Sequence, residues 1–343
     1  MVLKISAFIS KLFLIYFICS IAYAEKTYTL KFATLIPSDT AWVNSIQKWS
    51  DELKAKSNNR LQLKIYPGGV MGDEPDVIRK IRSQQLHGAF FTGYGIGRIY
   101  PPARVLEMPF LFKNTDESDY VRQRIMPSIE EGFREKGYEL VGWPEVGFLH
   151  FFSKNPIDSL TDLRASRVWL WQSDPLGEAF ASAAGVSPVP LSIMDVYTQL
   201  SAQHGSIDTV YNSPFGALAM QWHTKLKFAT NVPMTNAIGG LVISQKFFTK
   251  LPKDLQKLLR ETGKKISAEI NLDARRDNKK SIELLKQSGI VFGWDWTQEE
   301  KKQMLEIRNQ AADILNQSGY IPQKYFTQVK DILAEYHQQA LQN

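Results

Sequence analysis

Residues 160–215 read LTDLRASRVWLWQSDPLGEAFASAAGVSPVPLSIMDVYTQLSAQHGSIDTVYNSPF, and this stretch decides the fold class. Its hydrophobic periods predict three strands that alternate with two helices. The predicted elements are a strand over 167–172, a helix over 175–184 closed by Gly185, a strand over 186–190, a helix opened by Ser192 and a strand that ends near Asn212. A βαβαβ unit of this kind forms a parallel sheet whose strand carboxyl ends meet at a crevice, where α/β folds hold small molecules.

The N-terminal third of the chain predicts a second unit with the same order of elements. Strands are predicted over 28–36, 61–65 and 89–93, separated by helices whose apolar residues recur with a helical period. Two extended segments, 142–153 and 231–244, predict strands that cross between the units. We therefore expect an α/β fold of two Rossmann-like lobes, joined by crossing strands and a long helix, that closes around a ligand by hinge rotation.

The C-terminal part of the chain is predicted to be helical. Amphipathic patterns cover 254–287 and 322–341, and Thr297 forms a capping box with Glu300 between them. These helices are long enough to lie along both lobes. The expected domains are a first lobe of residues 25–146 plus 232–274 and a second lobe of residues 147–231 plus 275–343.

The composition indicates a globular chain that can bury at least one large core. The 343 residues are 44% hydrophobic and 22% charged, and the formal net charge is +6. Lysines and arginines are spread among acids along the chain and form no basic stripe. We therefore expect no nucleic-acid partner.

The N-terminal segment has the organisation of a secretory signal peptide. An apolar run over 12–21 follows two lysines, and residues 22–24 have the small-x-small pattern that signal peptidase needs. The run is shorter than the ~20 residues that span a bilayer, so we expect residues 1–24 to be cleaved before Glu25. The only cysteine, Cys19, lies in this segment, so the exported chain is expected to have no disulfide and no thiol chemistry.

The sequence shows no catalytic or cofactor-binding constellation. The five histidines are scattered, without metal-ligand spacing, and no Gly-x-Ser-x-Gly elbow is present. Residues 93–97 read GYGIG, but Arg98 stands where a dinucleotide-binding motif has its third glycine, and Pro101 soon follows. A bent loop beside the crevice is the favoured interpretation. We expect ligand binding without enzyme activity, cofactor or metal.

Several short motifs, in order and at characteristic spacing, carry a resemblance to a known family. They are Gly72-Asp73-Glu74, Leu106-Glu107-Met108-Pro109-Phe110, Gly147-Phe148, Asp162-Leu163, Pro188-Val189-Pro190, Asp208 with Asn212, and the run over 242–248. With them the chain resembles the solute-binding proteins of tripartite ATP-independent periplasmic (TRAP) transporters, of the dicarboxylate-binding (DctP) type. The resemblance covers nearly the whole chain from Tyr28 onward.

The resemblance implies two α/β domains around a buried ligand, a periplasmic location, and delivery of a small-molecule ligand to the small and large integral membrane subunits of a TRAP transporter. We expect a monomer. In the family, a ligand carboxylate is usually clamped by an arginine on the first strand of the second domain, often with a second arginine from the hinge strand. In this sequence the two positions carry Trp169 and Leu149, so uncharged side chains are expected where relatives place positive charge.

The loss of these arginines predicts an atypical ligand. A carboxylate in a dry cleft needs a paired cation to offset its lost hydration. Aromatic and apolar neighbours instead favour an apolar or aromatic ligand, held mainly by buried area. The candidate ligand-binding residues are Trp169, Asn212, Leu149, Phe148, Glu74, Tyr211, Trp171, Ile193, Leu35 and Tyr94.

Some of these interpretations have alternatives. Glu74 is equally consistent with an ordinary acid in a first helical turn, whereas Asn212 ends a strand at the crevice and retains the side chain of the family. Phe215 and Trp222 are favoured as core residues. Two other functions stay open: the same fold binding an organic acid through a non-standard cation such as Arg98, and a ligand-dependent sensor.

Overall fold

The computed structural model describes residues 26–342 of the chain. The predicted signal peptide and Cys19 lie outside the described residues. No helix within this range is long and apolar enough to cross a bilayer. The strands are β1 (Tyr28–Thr34), β2 (Leu61–Tyr66), β3 (Gly88–Thr92), β4 (Tyr138–Gly142), β5 (Glu145–Ser153), β6 (Trp169–Trp171), β7 (Val189–Leu191), β8 (Thr209–Asn212), β9 (Phe228–Thr230), β10 (Thr235–Ser244) and β11 (Val291–Gly293).

The α-helices alternate with these strands and then continue to the C-terminus. They are α1 (Ala41–Lys56), α2 (Glu74–Arg82), α3 (Gly93–Ile99), α4 (Thr115–Glu135), α5 (Leu160–Ala165), α6 (Pro175–Ala184), α7 (Ile193–Ser201), α8 (Pro214–Ala219), α9 (Gln245–Phe248), α10 (Lys253–Gln287), α11 (Gln298–Gln317) and α12 (Gln323–Gln342). Two 3₁₀ segments cover Pro101–Glu107 and Trp222–Lys225.

The first predicted unit folds as expected. β1 pairs in parallel with both β2 and β3, and Phe32 lies opposite Ile65 and Gly88. Thr40 caps α1 by accepting a backbone N–H of its first turn, and Asp73 opens α2 with a capping box. These caps satisfy N–H groups that a helix start would otherwise leave unpaired, so each helix begins at a defined residue.

Two long strands connect the units, as predicted. β5 and β10 run antiparallel, with Thr235 opposite Leu149. The later part of β10 pairs with β3 and β4, whereas the later part of β5 pairs with β8 and β9. We call β1–β4 and the helices between them the first lobe, and β6–β9 and the helices between them the second lobe. Buried apolar clusters fill both lobes, and the predicted two-lobed α/β fold is confirmed.

The second predicted unit also forms, with shorter strands. β6 and β7 pair in parallel, and β8 joins them through one parallel bridge between Val168 and Thr209. α6 ends at Gly185, whose φ of 70° lies in the left-handed region that glycine adopts at low cost. α7 begins after the Ser192 cap. The strand predicted over 186–190 instead covers Val189–Leu191 and begins after Pro188, which has no N–H to donate to a sheet.

The C-terminal helices lie across both lobes. α10, with 35 residues, packs against α1 of the first lobe and α8 of the second. α11 begins with the predicted capping box of Thr297 and Glu300 and packs against α6. α12 packs against α4 of the first lobe, although the expected boundary groups it with the second. The domain boundaries therefore stay a prediction.

The glycine-rich segment 93–97 begins a helix, and the bent loop predicted from the sequence is wrong. Thr92 caps α3 by accepting a backbone N–H of its first turn. Close packing, rather than turn formation, requires the glycine at the start: a Cβ at Gly93 would overlap the carboxylate of Glu107. The helix ends before Pro101, because a residue that precedes proline avoids the helical conformation.

Candidate ligand-binding site

A cavity of about 160 Å³ lies between the two lobes. The residues at or just beyond the carboxyl ends of β1, β3, β6 and β8 contribute to its wall, as the crevice rule for α/β sheets predicts. Eight of the ten candidate ligand-binding residues line this cavity. They are Leu35, Tyr94, Leu149, Trp169, Trp171, Ile193, Tyr211 and Asn212. Their contact with a ligand stays a prediction.

The wall of the second lobe is a packed group of aromatic rings. Trp169 lies between Trp171 and Tyr211, with ring centroids 5.0 Å from each. Its indole N–H donates to the carbonyl of Leu191 at 3.1 Å, and only 1% of the residue is exposed. Burial also raises the pKa of the Tyr211 hydroxyl. These contacts fix the rings in place, so the aromatic wall is preorganised.

Asn212 contributes a polar group to this wall. Its side-chain oxygen accepts a hydrogen bond from Ser213 N at 2.8 Å. This bond orients the amide and leaves its N–H groups as the donors that Asn212 can offer to a ligand. Gly216 lies against the same side chain, and a Cβ there would overlap the Asn212 oxygen.

Glu74 and Phe148 do not line the cavity. The buried Glu74 carboxylate accepts hydrogen bonds from Thr92 N at 2.6 Å, Thr92 Oγ1 at 2.9 Å and Gly95 N at 2.6 Å. It therefore holds the start of α3, and burial raises its pKa to about 8. Phe148 packs against a buried apolar cluster. Because side chains alternate along a strand, it is the neighbouring Leu149 that faces the cavity.

The wall contains a charged group that the sequence interpretation missed. Arg104, in Pro101–Glu107, donates to both carboxylate oxygens of Asp174 at 2.9 and 3.1 Å. Its Nε lies 2.6 Å from Oε2 of Glu107. All three side chains are buried, and all three residues line the cavity. Trp169 and Leu149 leave the two expected arginine positions uncharged, but the wall contains a cation at a position that the sequence interpretation did not identify. The sequence does contain a signal for this group, because Arg104 and Glu107 stand three residues apart in an otherwise apolar run.

The protonation of Glu107 sets the charge of this group. Burial raises the pKa of Glu107, and the negative charge of Asp174 adds to this, while Arg104 and a 2.7 Å bond from Ile238 N act against it. Arg104 with two ionised acids carries a formal charge of −1, whereas a proton on Glu107 makes the group neutral. Within residues 26–342, no cluster of three or more His, Cys, Asp or Glu side chains is arranged to hold a metal ion.

A second aromatic contact crosses the cleft. Trp42 of α1 stacks on Phe215 of α8, with ring centroids 4.7 Å apart, and both residues line the cavity. The expectation that Phe215 is a core residue is therefore wrong, because α8 turns this side chain toward the first lobe. Trp222 is buried in the core as predicted.

Arg98 lies at the rim of the cleft rather than in its wall. Its guanidinium donates to the Tyr94 hydroxyl at 3.0 Å and to the carbonyls of Gln172 and Ser173 at 3.4 and 3.3 Å. The side chain is exposed and does not line the cavity. Of these two arginines, Arg104 and not Arg98 lines the cavity.

Known proteins resemble this chain in sequence. The family model for bacterial extracellular solute-binding proteins, family 7 (DctP), matches residues 32–318. A solute-binding protein of Chromohalobacter salexigens is 27% identical over 171 residues, which cover 49% of this chain and 50% of that protein. The match thus spans about half the length of that relative.

Solved structures share the fold. A TRAP periplasmic solute-binding protein from Desulfovibrio salexigens, with bound orotic acid, has a TM-score of 0.83 at 17% identity and covers 90% of this chain and 99% of its own. Another from Xanthobacter autotrophicus, with bound β-D-galacturonate, has a TM-score of 0.79 at 20% identity and covers 89% of this chain and 99% of its own. These acids do not support the apolar ligand predicted from the sequence. The presence of Arg104 in the cavity wall also removes part of the reason for that prediction.

Proposed function

The chain belongs to bacterial extracellular solute-binding protein family 7, the DctP family, and from this premise we propose that it captures a small organic acid between its lobes for a TRAP transporter. The family match confirms the resemblance noted in the sequence. Proteins of this family bind solutes for transporters and are not enzymes. A periplasmic location and delivery to small and large membrane subunits are part of the proposal.

One observation carries the proposal of an acid: the buried guanidinium of Arg104 is part of the cavity wall. An ionised carboxylate loses several kcal/mol of hydration in a site closed to water, and charge-assisted bonds from a guanidinium offset that loss. The two bonds to Asp174 use only part of the donor capacity of a guanidinium. Arg104 can therefore also donate to a solute carboxylate.

The charge of the wall is compatible with an acid when Glu107 is protonated. Two ionised acids beside Arg104 would repel a carboxylate, but burial raises the pKa of Glu107 and favours its neutral form. A protonated Glu107 leaves Arg104 and Asp174 as a neutral pair. It can also donate a hydrogen bond to the incoming carboxylate.

The start of α6 adds backbone donors to the same wall. Leu176 and Gly177, in the first turn of this helix, line the cavity. The first N–H groups of a helix have no partner within the helix and carry partial positive charge, so they favour anions. This arrangement supports an acid rather than an uncharged solute.

The size and shape of the cavity limit the body of the solute. A volume of about 160 Å³ is close to that of an engineered protein cavity that binds benzene. The flat rings of Trp42, Phe215, Tyr94 and Trp171 bound this space. We expect an acid whose body is about the size of one ring.

Two measurements test the proposal. Small molecules released by denaturing the purified protein are identified by mass spectrometry, and a panel of ring-sized acids with their uncharged amides is screened by thermal shift. Acids are expected to raise the melting temperature, and their amides are not. Stabilisation by the amides alone would contradict the proposal.

A double variant tests the role assigned to the cation. Arg104→Gln with Asp174→Asn removes both charges of the pair while keeping polar side chains, so no unpaired charge is left from that pair. It is expected to abolish the thermal shift caused by acids. The matched control is Arg167→Gln with Asp208→Asn, which removes an arginine–aspartate pair (3.0 Å) on the second lobe outside the cavity. The control should retain the shift.

A further inference from the structure

The Arg104–Asp174 pair joins the two lobes. Arg104 belongs to Pro101–Glu107 of the first lobe, and Asp174 directly precedes α6 of the second. The two bonds, at 2.9 and 3.1 Å, have the parallel geometry of a bidentate arginine–carboxylate pair. The side chains are 5% and 4% exposed, so water screens the attraction little.

Asp174 pairs with Arg104 instead of capping its own helix, which is the usual contact of an aspartate at this position. It occupies the N-cap of α6 but forms no side-chain capping bond. At the same position of other helices, the side chains of Asn114, Ser159 and Ser192 each accept a backbone N–H. Aspartate is among the preferred N-cap residues. Its carboxylate is therefore directed across the cleft instead of onto its own helix.

Each partner has an alternative within its own lobe. The carboxylate of Glu107, three residues along the same segment, stays beside Arg104, with its Oε2 atom 2.6 Å from the arginine Nε. If the lobes separate, Asp174 can turn to the free N–H groups of α6, where a carboxylate is favoured. When Asp174 moves away, its charge no longer raises the pKa of Glu107, which favours an ionised Glu107 beside Arg104. Opening therefore leaves neither charge without a partner, and the two arrangements can interconvert.

We propose that Asp174 is a positioning residue that acts as a latch between the lobes. In the open arrangement its side chain caps α6, and on closure it gives up that bond for the buried pair with Arg104, which stabilises the closed arrangement. The latch acts in the absence of solute and does not depend on which solute binds. It supplies part of the free energy of closure, so a solute meets lobes that already populate the closed arrangement. A solute that binds the closed arrangement then binds more tightly, because less of its binding free energy is used to close the lobes.

Asp174→Ser is the most informative variant. Serine caps a helix as well as aspartate does but cannot pair with Arg104. Glu107 then remains as the partner of Arg104, so the cation is not left unpaired. The control is Asp208→Ser, because Asp208 also pairs with an arginine, Arg167 at 3.0 Å, but within the second lobe.

Distances between spin labels on the two lobes report closure directly. The chain from residue 25 onward has no cysteine, so Lys48→Cys on α1 and Thr198→Cys on α7, both exposed, provide unique labelling sites. Bound solute is removed by unfolding and refolding before the measurement. Pulsed electron paramagnetic resonance then gives the populations of short and long distances without added solute.

The wild-type protein is expected to show a substantial short-distance population. Asp174→Ser should lower the ratio of closed to open molecules by about tenfold or more, as expected for loss of a buried ion pair. Asp208→Ser should leave the ratio unchanged. A wild-type protein that is entirely open without solute, or an Asp174→Ser distribution identical to wild type, would overturn the latch. If Asp174→Ser does not fold, Asp174→Asn is measured in the same way, with the same expected opening and the same contrary outcome.

Discussion

Tyr94 of the first lobe and Trp171 of the second both line the cavity and stack across the cleft, with ring centroids 5.1 Å apart and planes inclined by 17°. The Tyr94 hydroxyl also donates to the carbonyl of Gln172 at 2.7 Å. One side chain thus makes both an aromatic contact and a hydrogen bond to the opposite lobe. Because both contacts require the lobes to be close, Tyr94 should affect the affinity for any solute that is enclosed by closure.

Substitution at Tyr94 separates these two contributions. Tyr94→Phe keeps the stack and removes the hydroxyl, so affinity for the best acid of the panel should fall about two- to tenfold, the range expected for one hydrogen bond. Tyr94→Leu also removes the stack and should cost more. Calorimetric titration measures both. Equal affinities for wild type and Tyr94→Phe would show that the bond to Gln172 does not stabilise the closed form.

The rim position of Arg98 predicts a small effect. Its side chain is exposed and its bonds to Gln172 and Ser173 are long, so Arg98→Ala should weaken binding of the acid less than tenfold, about the limit for exposed charged contacts. The same titration gives the value. A loss of about a hundredfold or more, in the range of a buried charge pair, would instead identify Arg98 as the clamp.

The raised pKa of Glu107 predicts that acids bind more tightly at lower pH. Loss of the proton places a second negative charge beside the solute carboxylate, so affinity for an ionised acid should fall as the pH rises through the raised titration range of Glu107. Glu107→Gln cannot ionise, and its amide oxygen can still accept from Ile238 N. The variant should bind the acid with little dependence on pH. A pH profile parallel to that of wild type would contradict this role.

Glu74 predicts a pH dependence of stability rather than of binding. Burial raises its pKa from 4.5 to about 8 in the folded protein. Below 4.5 the carboxyl is protonated in both states and its contribution to stability is complete. As the pH rises toward 8, the unfolded chain loses the proton while the folded protein retains it, so the free energy of unfolding falls. Urea denaturation across this range should show the decline.

Glu74→Gln isolates this contribution, because glutamine does not titrate. The variant should show a shallower decline between pH 4.5 and about 8 than wild type. Glu261→Gln, at an exposed position of α10, should keep the wild-type slope. If Glu74→Gln and wild type decline in parallel, the pKa of Glu74 is not raised by burial.

Local sequence patterns predicted much of the fold. Gly185, Ser192 and Thr297 mark helix ends in both the sequence and the structure, because capping depends on side chains within a few residues of the helix end. The glycines at 93–97 had the opposite effect. They suggested a loop, but tight packing against Glu107 and other side chains requires them in a helix. That constraint is tertiary and leaves no local trace.

The site was predicted less completely for the same reason. The strand-end rule located the aromatic wall, but Arg104 and Asp174 are 70 residues apart in the chain and on different lobes, so no spacing rule connects them. The choice between Phe148 and Leu149 required the register of β5, since neighbouring side chains on a strand point to opposite faces. Trp42 lies in one of the helices whose apolar residues recur with a helical period, and only the packing of the lobes shows that it borders the cavity.

The central claim is that an acid binds because it is charged. Calorimetric titration of the wild-type protein with the best acid of the panel, and separately with its uncharged carboxamide, tests this claim most directly. The two solutes share size and shape, so their difference in affinity reports the carboxylate alone. We expect the acid to bind at least about a hundredfold more tightly, as for a buried charge-assisted contact. Equal affinities, or tighter binding of the amide, would contradict the account.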